Sequence, residues 1–257
     1  MIVARDLAAS QLDSVLGRTS PVLKLGIAVG WLIGLATTVA LAPPLILALV
    51  AMAAGLTLGG IPRRDLVRSL APLWLAAVGL ATFNTLFGAA NNDQTLPMLV
   101  QLGPFRVTGP ALAAGIGLGL RVAAIGAVGA VFALTTDSTR LVDSLVQQAR
   151  VPERFAYGAL AAYGAVPRFA EDFTTLRQAR RIRGLRGSWH PRLLVSLLVL
   201  AIRHGDRMAI AMDARGFGSV PRSRYRVVAW TWMDLGVAVA AALVLVLALL
   251  GGARLSL

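Results

Sequence analysis

Pro110-Ala-Leu-Ala-Ala-Gly-Ile-Gly-Leu-Gly-Leu-Arg121-Val-Ala-Ala-Ile-Gly-Ala-Val-Gly-Ala-Val-Phe-Ala-Leu134 is an apolar run whose one charge is Arg121. At 1.5 Å per helical residue it is long enough to cross the roughly 30 Å hydrocarbon core of a bilayer. Four more runs share this character. Val22 to Leu41 carries only Lys24, at its edge, and Pro44 to Gly60 carries no charge. Leu70 to Ala90 and Val227 to Gly252 complete the set. The first two, joined at Pro43-Pro44, predict a tight hairpin, and Trp230 and Trp232 sit where interfacial anchors of the last span belong. With 57% hydrophobic residues, 14% charged and a mean hydropathy of +0.72, the chain has a bilayer as its solvent. The fold class expected is all-α, a polytopic membrane helical bundle.

The first twenty residues contain Asp6 and Asp13 and no apolar core, so they do not form a signal peptide, and the first apolar run is expected to stay as a transmembrane anchor. Without cysteine there is no disulfide framework, thiolate nucleophile or cysteine zinc site. Two histidines, His190 and His204, are too few for a histidine metal cluster.

Net charge is +13, and 15 of the 25 basic residues lie between Arg150 and Arg226, against five acids there (Glu153, Glu171, Asp172, Asp206, Asp213). Basic residues beside membrane spans stay cytoplasmic. This segment and the Arg63, Arg64, Arg68 cluster are therefore expected on the cytoplasmic face, with the N-terminus inside and the Asn91 to Gly109 loop outside. An extra crossing near Phe155 to Val166 would change that parity. Topology accounts for the charge, so nucleic acid is not an expected partner.

Absences bound the chemistry. Lys24, the single lysine, has no glycine-rich loop before it, which excludes a phosphate-binding loop of the GxxxxGK[ST] type. Gly115-Ile-Gly-Leu-Gly119 lies inside an apolar span, with no preceding strand, and reads as small residues for close helix packing rather than as a dinucleotide fingerprint. No nucleophile elbow, HExxH motif or carboxylate pair stands in a setting for catalysis, and neither a cofactor nor a metal site is expected. Arg121 is the clear charge near the middle of a span. It is a possible intramembrane polar site, to be weighed against a structural pairing with a neighbouring helix or a water-filled crevice.

One pattern occurs twice in the polar segment: Ala179-Arg-Arg-Ile-Arg183-Gly184 and Ala211-Met-Asp-Ala-Arg215-Gly216. Each follows a stretch at helical spacing, with Phe169, Phe173 and Leu176 before the first and Met208 and Met212 before the second. A glycine directly after such a stretch is a helix C-cap signal, because glycine takes the left-handed conformation at little steric cost. Each arginine is then left at a helix tip. Alone, it could simply complement its own helix dipole, worth about 0.3 to 1 kcal/mol. Two equivalent tips instead suit two equivalent sockets on a dimeric partner, and a planar guanidinium fork suits a carboxylate-lined socket.

At this point the sequence resembles the transmembrane T component of energy-coupling factor transporters, the group that includes the cobalt-transport permeases. The resemblance runs from Val151 to Gly218, through Val-Pro-Glu-Arg-Phe-Ala-Tyr157, Val166-Pro-Arg-Phe-Ala-Glu-Asp-Phe173, Arg177-Gln-Ala-Arg-Arg-Ile-Arg-Gly184 and Ala211-Met-Asp-Ala-Arg-Gly-Phe-Gly218. Leu134-Thr-Thr-Asp137 also fits. The specific similarity covers about a third of the chain, and the N-terminal spans match in hydropathy only.

In that family two Ala-Arg-Gly motifs mark coupling helices that dock into grooves on two ATPase subunits. Carried over by position, Arg215 of Ala214-Arg-Gly216 matches the second motif, and Arg183 matches the first with Ile182 in place of alanine. The resemblance thus implies an ATPase-coupling set of Ala179, Ile182, Arg183, Gly184, Ala211, Ala214, Arg215 and Gly216. It also implies long cytoplasmic coupling helices, two ABC-type ATPase subunits and a substrate-binding S component as partners, a bacterial-type inner membrane, and no catalysis by the chain itself. The S component selects the cargo, which in the family is a vitamin, a vitamin precursor, or cobalt or nickel. Three parts are expected: membrane-embedded helices over 1–134, about four spans; a cytoplasmic coupling-helix region over 135–226; and a C-terminal transmembrane helix over 227–257.

Two rival readings come from other classes. A self-contained carrier or channel needs inward-facing polar residues along its spans, for which Arg121, Asn84 and Asp234 are sparse. A membrane enzyme acting on lipid needs acidic metal-binding motifs, which Asp65, Asp137 and Asp143 do not form.

Overall fold

A computed structural model describes residues 13–38, 40–93, 95–102, 105–185, 190–219 and 226–255. They form a helical protein in two compact units, one of the described residues up to 137 together with those from 229 onward, the other of residues 138–228.

The first unit is the membrane bundle. After a one-turn helix α1 (Val15–Arg18) come α2 (Pro21–Ala36), α3 (Ala42–Thr57), α4 (Arg63–Phe87), α5 (Gly109–Thr135) and, from the far end of the chain, α9 (Trp232–Leu255). Three helical stretches, Arg63–Asn92, Gly109–Thr135 and Trp232–Gly252, are long and apolar enough to cross a membrane. The two N-terminal runs are shorter than their sequence pattern suggests. Each folds as 16 residues, about 24 Å of helix. Pro43 and Pro44 lie in the first turn of α3, where a missing N–H leaves no helical bond unmade, so the chain re-enters a helix at once. The two helices also pack chiefly on α5 and α9, not on each other.

α4 and α5 are the most extensively packed pair. Their close approach depends on the glycines of the Gly115 to Gly119 stretch. A Cβ at Gly115 would stand 2.7 Å from the Ala81 carbonyl oxygen, and one at Gly119 would stand 2.8 Å from the Ala81 Cβ. The stretch is therefore a packing groove, as its apolar setting predicts. Leu35, Leu47, Leu70, Ala124, Ala127 and Ala248 close the core where α2, α3, α4, α5 and α9 meet.

Polar contacts set the register of these helices. The Lys24 ammonium of α2 donates to the carbonyl of Thr135, the last residue of α5, at 2.7 Å. Trp31 Nε1 donates to the Ala241 carbonyl at 3.1 Å. Asp234 is almost fully buried and accepts the Ser20 N–H at 2.7 Å and the Thr231 N–H at 2.8 Å, so one carboxylate ties the start of α9 to the start of α2. The loop between α4 and α5 holds a short hairpin, β1 (Met98–Leu102) antiparallel to β2 (Phe105–Thr108), which the hydropathy pattern does not announce. Just before it, the Thr95 hydroxyl and then the Thr95 N–H, both bonded to Asp93, hold that carboxyl below its ordinary range.

The second unit contains α6 (Ser138–Gln147), α7 (Glu153–Ile182) and α8 (Pro191–Ala214). Val142, Val146 and Ala156 form its small core, joined by Tyr157, whose hydroxyl donates to Asp143 at 2.9 Å. The stretch from Phe155 to Val166, open at the sequence level to reading as a further crossing, is the first half of α7. That helix begins at Glu153, well before the Phe169 at which helical spacing first marks it, and runs on through Pro167 for 30 residues in all.

Candidate functional site: two arginine-bearing helix tips

α7 ends on Arg183 and α8 on Arg215, each the C-cap residue of its helix. Gly184 follows with φ +70° and Gly216 with φ +71°, the left-handed backbone that closes a helix. Two backbone bonds complete each tip. At the first, the Gly184 N–H donates to the Arg181 carbonyl at 3.1 Å and the Leu185 N–H to that of Arg180 at 3.2 Å. At the second, the Gly216 N–H donates to the Asp213 carbonyl at 2.9 Å and the Phe217 N–H to that of Met212 at 3.0 Å. Both are Schellman motifs, matched residue for residue: Ala179 with Ala211, Ile182 with Ala214, Arg183 with Arg215, Leu185 with Phe217.

Both tips stand in the open. Arg183, Gly184, Arg215 and Gly216 are exposed, and Ile182 is 87% exposed. Among the described residues neither arginine has a carboxylate partner or a side-chain bond to its helix's terminal carbonyls. The tips differ in charge. Arg180 and Arg181 flank the first, whereas Asp213 stands two residues before Arg215 at the second.

Apolar and aromatic contacts shape the helices behind the tips. The Phe169 ring of α7 meets the His204 ring of α8 edge-on at 6.0 Å, and the Arg177 guanidinium lies 5.9 Å from the Phe173 ring centre. His190 spends its Nδ1 as the N-cap acceptor of α8, taking the Arg192 N–H at 3.1 Å.

Three residues that the sequence reading did not single out frame the second tip. Gly218 has φ +91°, and a Cβ there would lie 2.8 Å from Arg154 Nε, so the guanidinium of Arg154, at the start of α7, covers that glycine. The Gln147 side-chain amide donates to the Arg226 carbonyl at 2.8 Å and accepts the Val228 N–H at 2.9 Å. Only the Gly216-Phe-Gly218 spacing hinted at any of this, because the contacts join distant parts of the chain.

Arg121 lies apart from the tips, in the membrane bundle. Its guanidinium donates to the Thr38 carbonyl, just past the end of α2, where a cation meets the negative end of the helix dipole. Its Nε and the Thr38 hydroxyl are buried and have no partner among the described residues. An apolar cavity of about 270 Å³ lies between α2, α3, α5 and α9, with Lys24 and Thr135 in its wall. The Lys24 ammonium already serves the Thr135 carbonyl, so a polar solute would find no convergent set of donors there.

Comparison with known proteins follows the same lines. A family model described as cobalt transport protein, CbiQ, matches residues 14–226. The chain is 28% identical over 155 residues to the energy-coupling factor transporter transmembrane protein EcfT of Bacillus subtilis (strain 168), an alignment covering 54% of this chain and 58% of that protein. It is 27% identical over 174 residues to EcfT of Streptococcus equi subsp. equi, covering 61% and 64%. With EcfT of Heliobacterium modesticaldum it shares 28% over 208 residues, covering 74% and 73%. The chain thus spans about three fifths of the length of the Bacillus and Streptococcus relatives it matches.

Proposed function

This chain belongs to the cobalt transport protein family, and on that footing we propose that it is the transmembrane coupling subunit, the T component, of an ATP-driven energy-coupling factor importer. The observation that carries this reading is the pair of exposed tips, each closed by the same backbone motif and each offering an arginine that has no carboxylate partner among the described residues. An exposed guanidinium at a helix tip suits a carboxylate-lined socket, and two such tips suit the two halves of an ATPase dimer.

In this mechanism two cytoplasmic ABC-type ATPases hold the tips around Arg183 and Arg215 in their grooves. ATP binding closes the ATPases, the tips move with the grooves, and α7 and α8 carry the displacement to a membrane-embedded S component that holds the solute. Hydrolysis occurs in the partners. The solute is a vitamin, a vitamin precursor, or a cobalt or nickel ion. The complex sits in the inner (plasma) membrane, with the N-terminus and the region over 135–226 cytoplasmic.

Purification of the tagged chain from native membranes tests this. The wild-type chain should bring down two ATPase subunits and an S component, and Arg183→Glu with Arg215→Glu should lose the ATPases, since a carboxylate would then face the acidic socket. ATPases retained undiminished by the double variant would end the docking role of both tips.

A further inference from the structure

The two tips are closed alike but held differently. No described residue lies within 4 Å of the position a Cβ would take on Gly184, and Leu185, the next residue, is exposed. The second tip is held at Gly218. The Arg154 guanidinium covers Gly218: a Cβ there would stand 2.8 Å from Nε and 2.9 Å from the nearer Nη. Further along the chain, Gln147 bonds both the Arg226 carbonyl and the Val228 N–H, while Gln148 reaches the Val228 carbonyl at 3.4 Å.

These grips come from the base of α7 and from α6, the end of the unit opposite to the first tip. Arg154 is the second residue of α7, and Arg183 caps the other end of that helix. A helix of 30 residues is about 45 Å long, so the clamp fixes the second tip on the order of 40 Å from the first. One tip thus ends the helix that serves as ruler, and the other is fastened to its beginning.

We propose that Arg154 is a positioning residue that clamps the Arg215 tip to the base of α7 through Gly218 and so sets the spacing of the two docking points. Gly218 is required for the same reason: its positive φ and its missing Cβ leave room for a flat guanidinium. The proposal rests on the reading of Arg183 and Arg215 as docking points. It makes the Arg215 tip the preorganised contact, while the Arg183 tip adapts to its socket.

The chain has no cysteine, so spin labels can be placed on it without background. Tyr163→Cys with Ala214→Cys reports the second tip against the middle of α7. Tyr163→Cys with Ile182→Cys reports α7 and the first tip alone. By pulsed electron paramagnetic resonance the first pair should give a narrow distance distribution. Arg154→Ala should broaden it and leave the second pair unchanged, and Gly218→Ala, which crowds the guanidinium but keeps it, should do the same. An unchanged distribution for the first pair in both variants would overturn the clamp.

A functional readout separates this outcome from failure of the coupling role. In the complex, Arg154→Ala keeps both tip arginines and should still bring down the ATPases, while transport per ATP hydrolysed falls. Full transport per ATP in that variant would also sink the proposal. Failure of the tip variants to release the ATPases would instead overturn the docking role and leave the distance result standing.

Discussion

Gly184 and Gly216, 32 positions apart, hold the same left-handed backbone, with φ +70° and +71°, and each closes its helix by the same two backbone bonds. What differs between the tips is the company each arginine keeps, and the first prediction follows from that.

At the first tip Arg180 and Arg181 stay positive when Arg183 is reversed, whereas at the second Arg215→Glu adds a carboxylate close to Asp213. Single charge reversal should therefore weaken ATPase docking more at Arg215 than at Arg183. Because exposed charges are screened within about 8 Å at physiological salt, the gap between the two variants should narrow as salt is raised. Pull-down of the ATPases across a salt series reads this directly, and equal losses at low salt would count against it.

Gly184→Ala and Gly216→Ala each force a side chain into the left-handed region, at roughly 1 to 2 kcal/mol. The last turn of the affected helix should fray, with amide exchange near it faster by about fivefold or more, while the melting temperature of the whole protein barely moves. Hydrogen exchange over residues 180–185 and 212–217 measures it. Protection unchanged at both tips would contradict the Schellman closure.

Asp234 accepts three bonds, from the Ser20 N–H, the Thr231 N–H and, at 2.9 Å, the Thr231 hydroxyl. Asp234→Ala leaves the buried Ser20 N–H unsatisfied, at about 1 to 3 kcal/mol. Thermal unfolding in detergent should come several degrees earlier. An unaltered transition would mean that the Asp234 bonds add nothing to the hold of α9 on α2.

Two glycines of α5 should respond in opposite ways. Gly119→Leu drives atoms into Ala81 and the Ala77 carbonyl, which overpacking puts at about 1 to 3 kcal/mol or more, so yield and thermal stability should fall. Gly129→Ala meets nothing within 4 Å and should be neutral or stabilising by about 0.5 to 1 kcal/mol. A side-by-side melting comparison decides, and similar values for the two would refute the α4–α5 groove.

Much of this could be read from the chain before any fold was known. The spans of α4, α5 and α9 follow from uninterrupted hydropathy, and the two tips follow from a glycine placed after an arginine and a helical stretch. Both signals are local. The small hairpin at Met98 and the brevity of α2 and α3 were not legible, because they depend on where neighbouring helices end. Arg121 shows the same division: its charge in an apolar run marks it at once, but the Thr38 carbonyl it bonds is visible only after folding.

Composition and short-range pattern were enough to establish a helical membrane protein with two glycine-closed, arginine-bearing tips. Desolvation and backbone sterics act within a few residues and need no partner from elsewhere. The fastening of α9 to α2 joins residues 214 positions apart, and the Gln147 grip on Val228 joins residues 81 apart. Such contacts exist only once the helices have packed, since a hydrogen bond or a guanidinium lying on a glycine requires two distant backbones within a few ångströms. Packing, not pattern, thus set the Arg154 guanidinium against Gly218 beside the second tip.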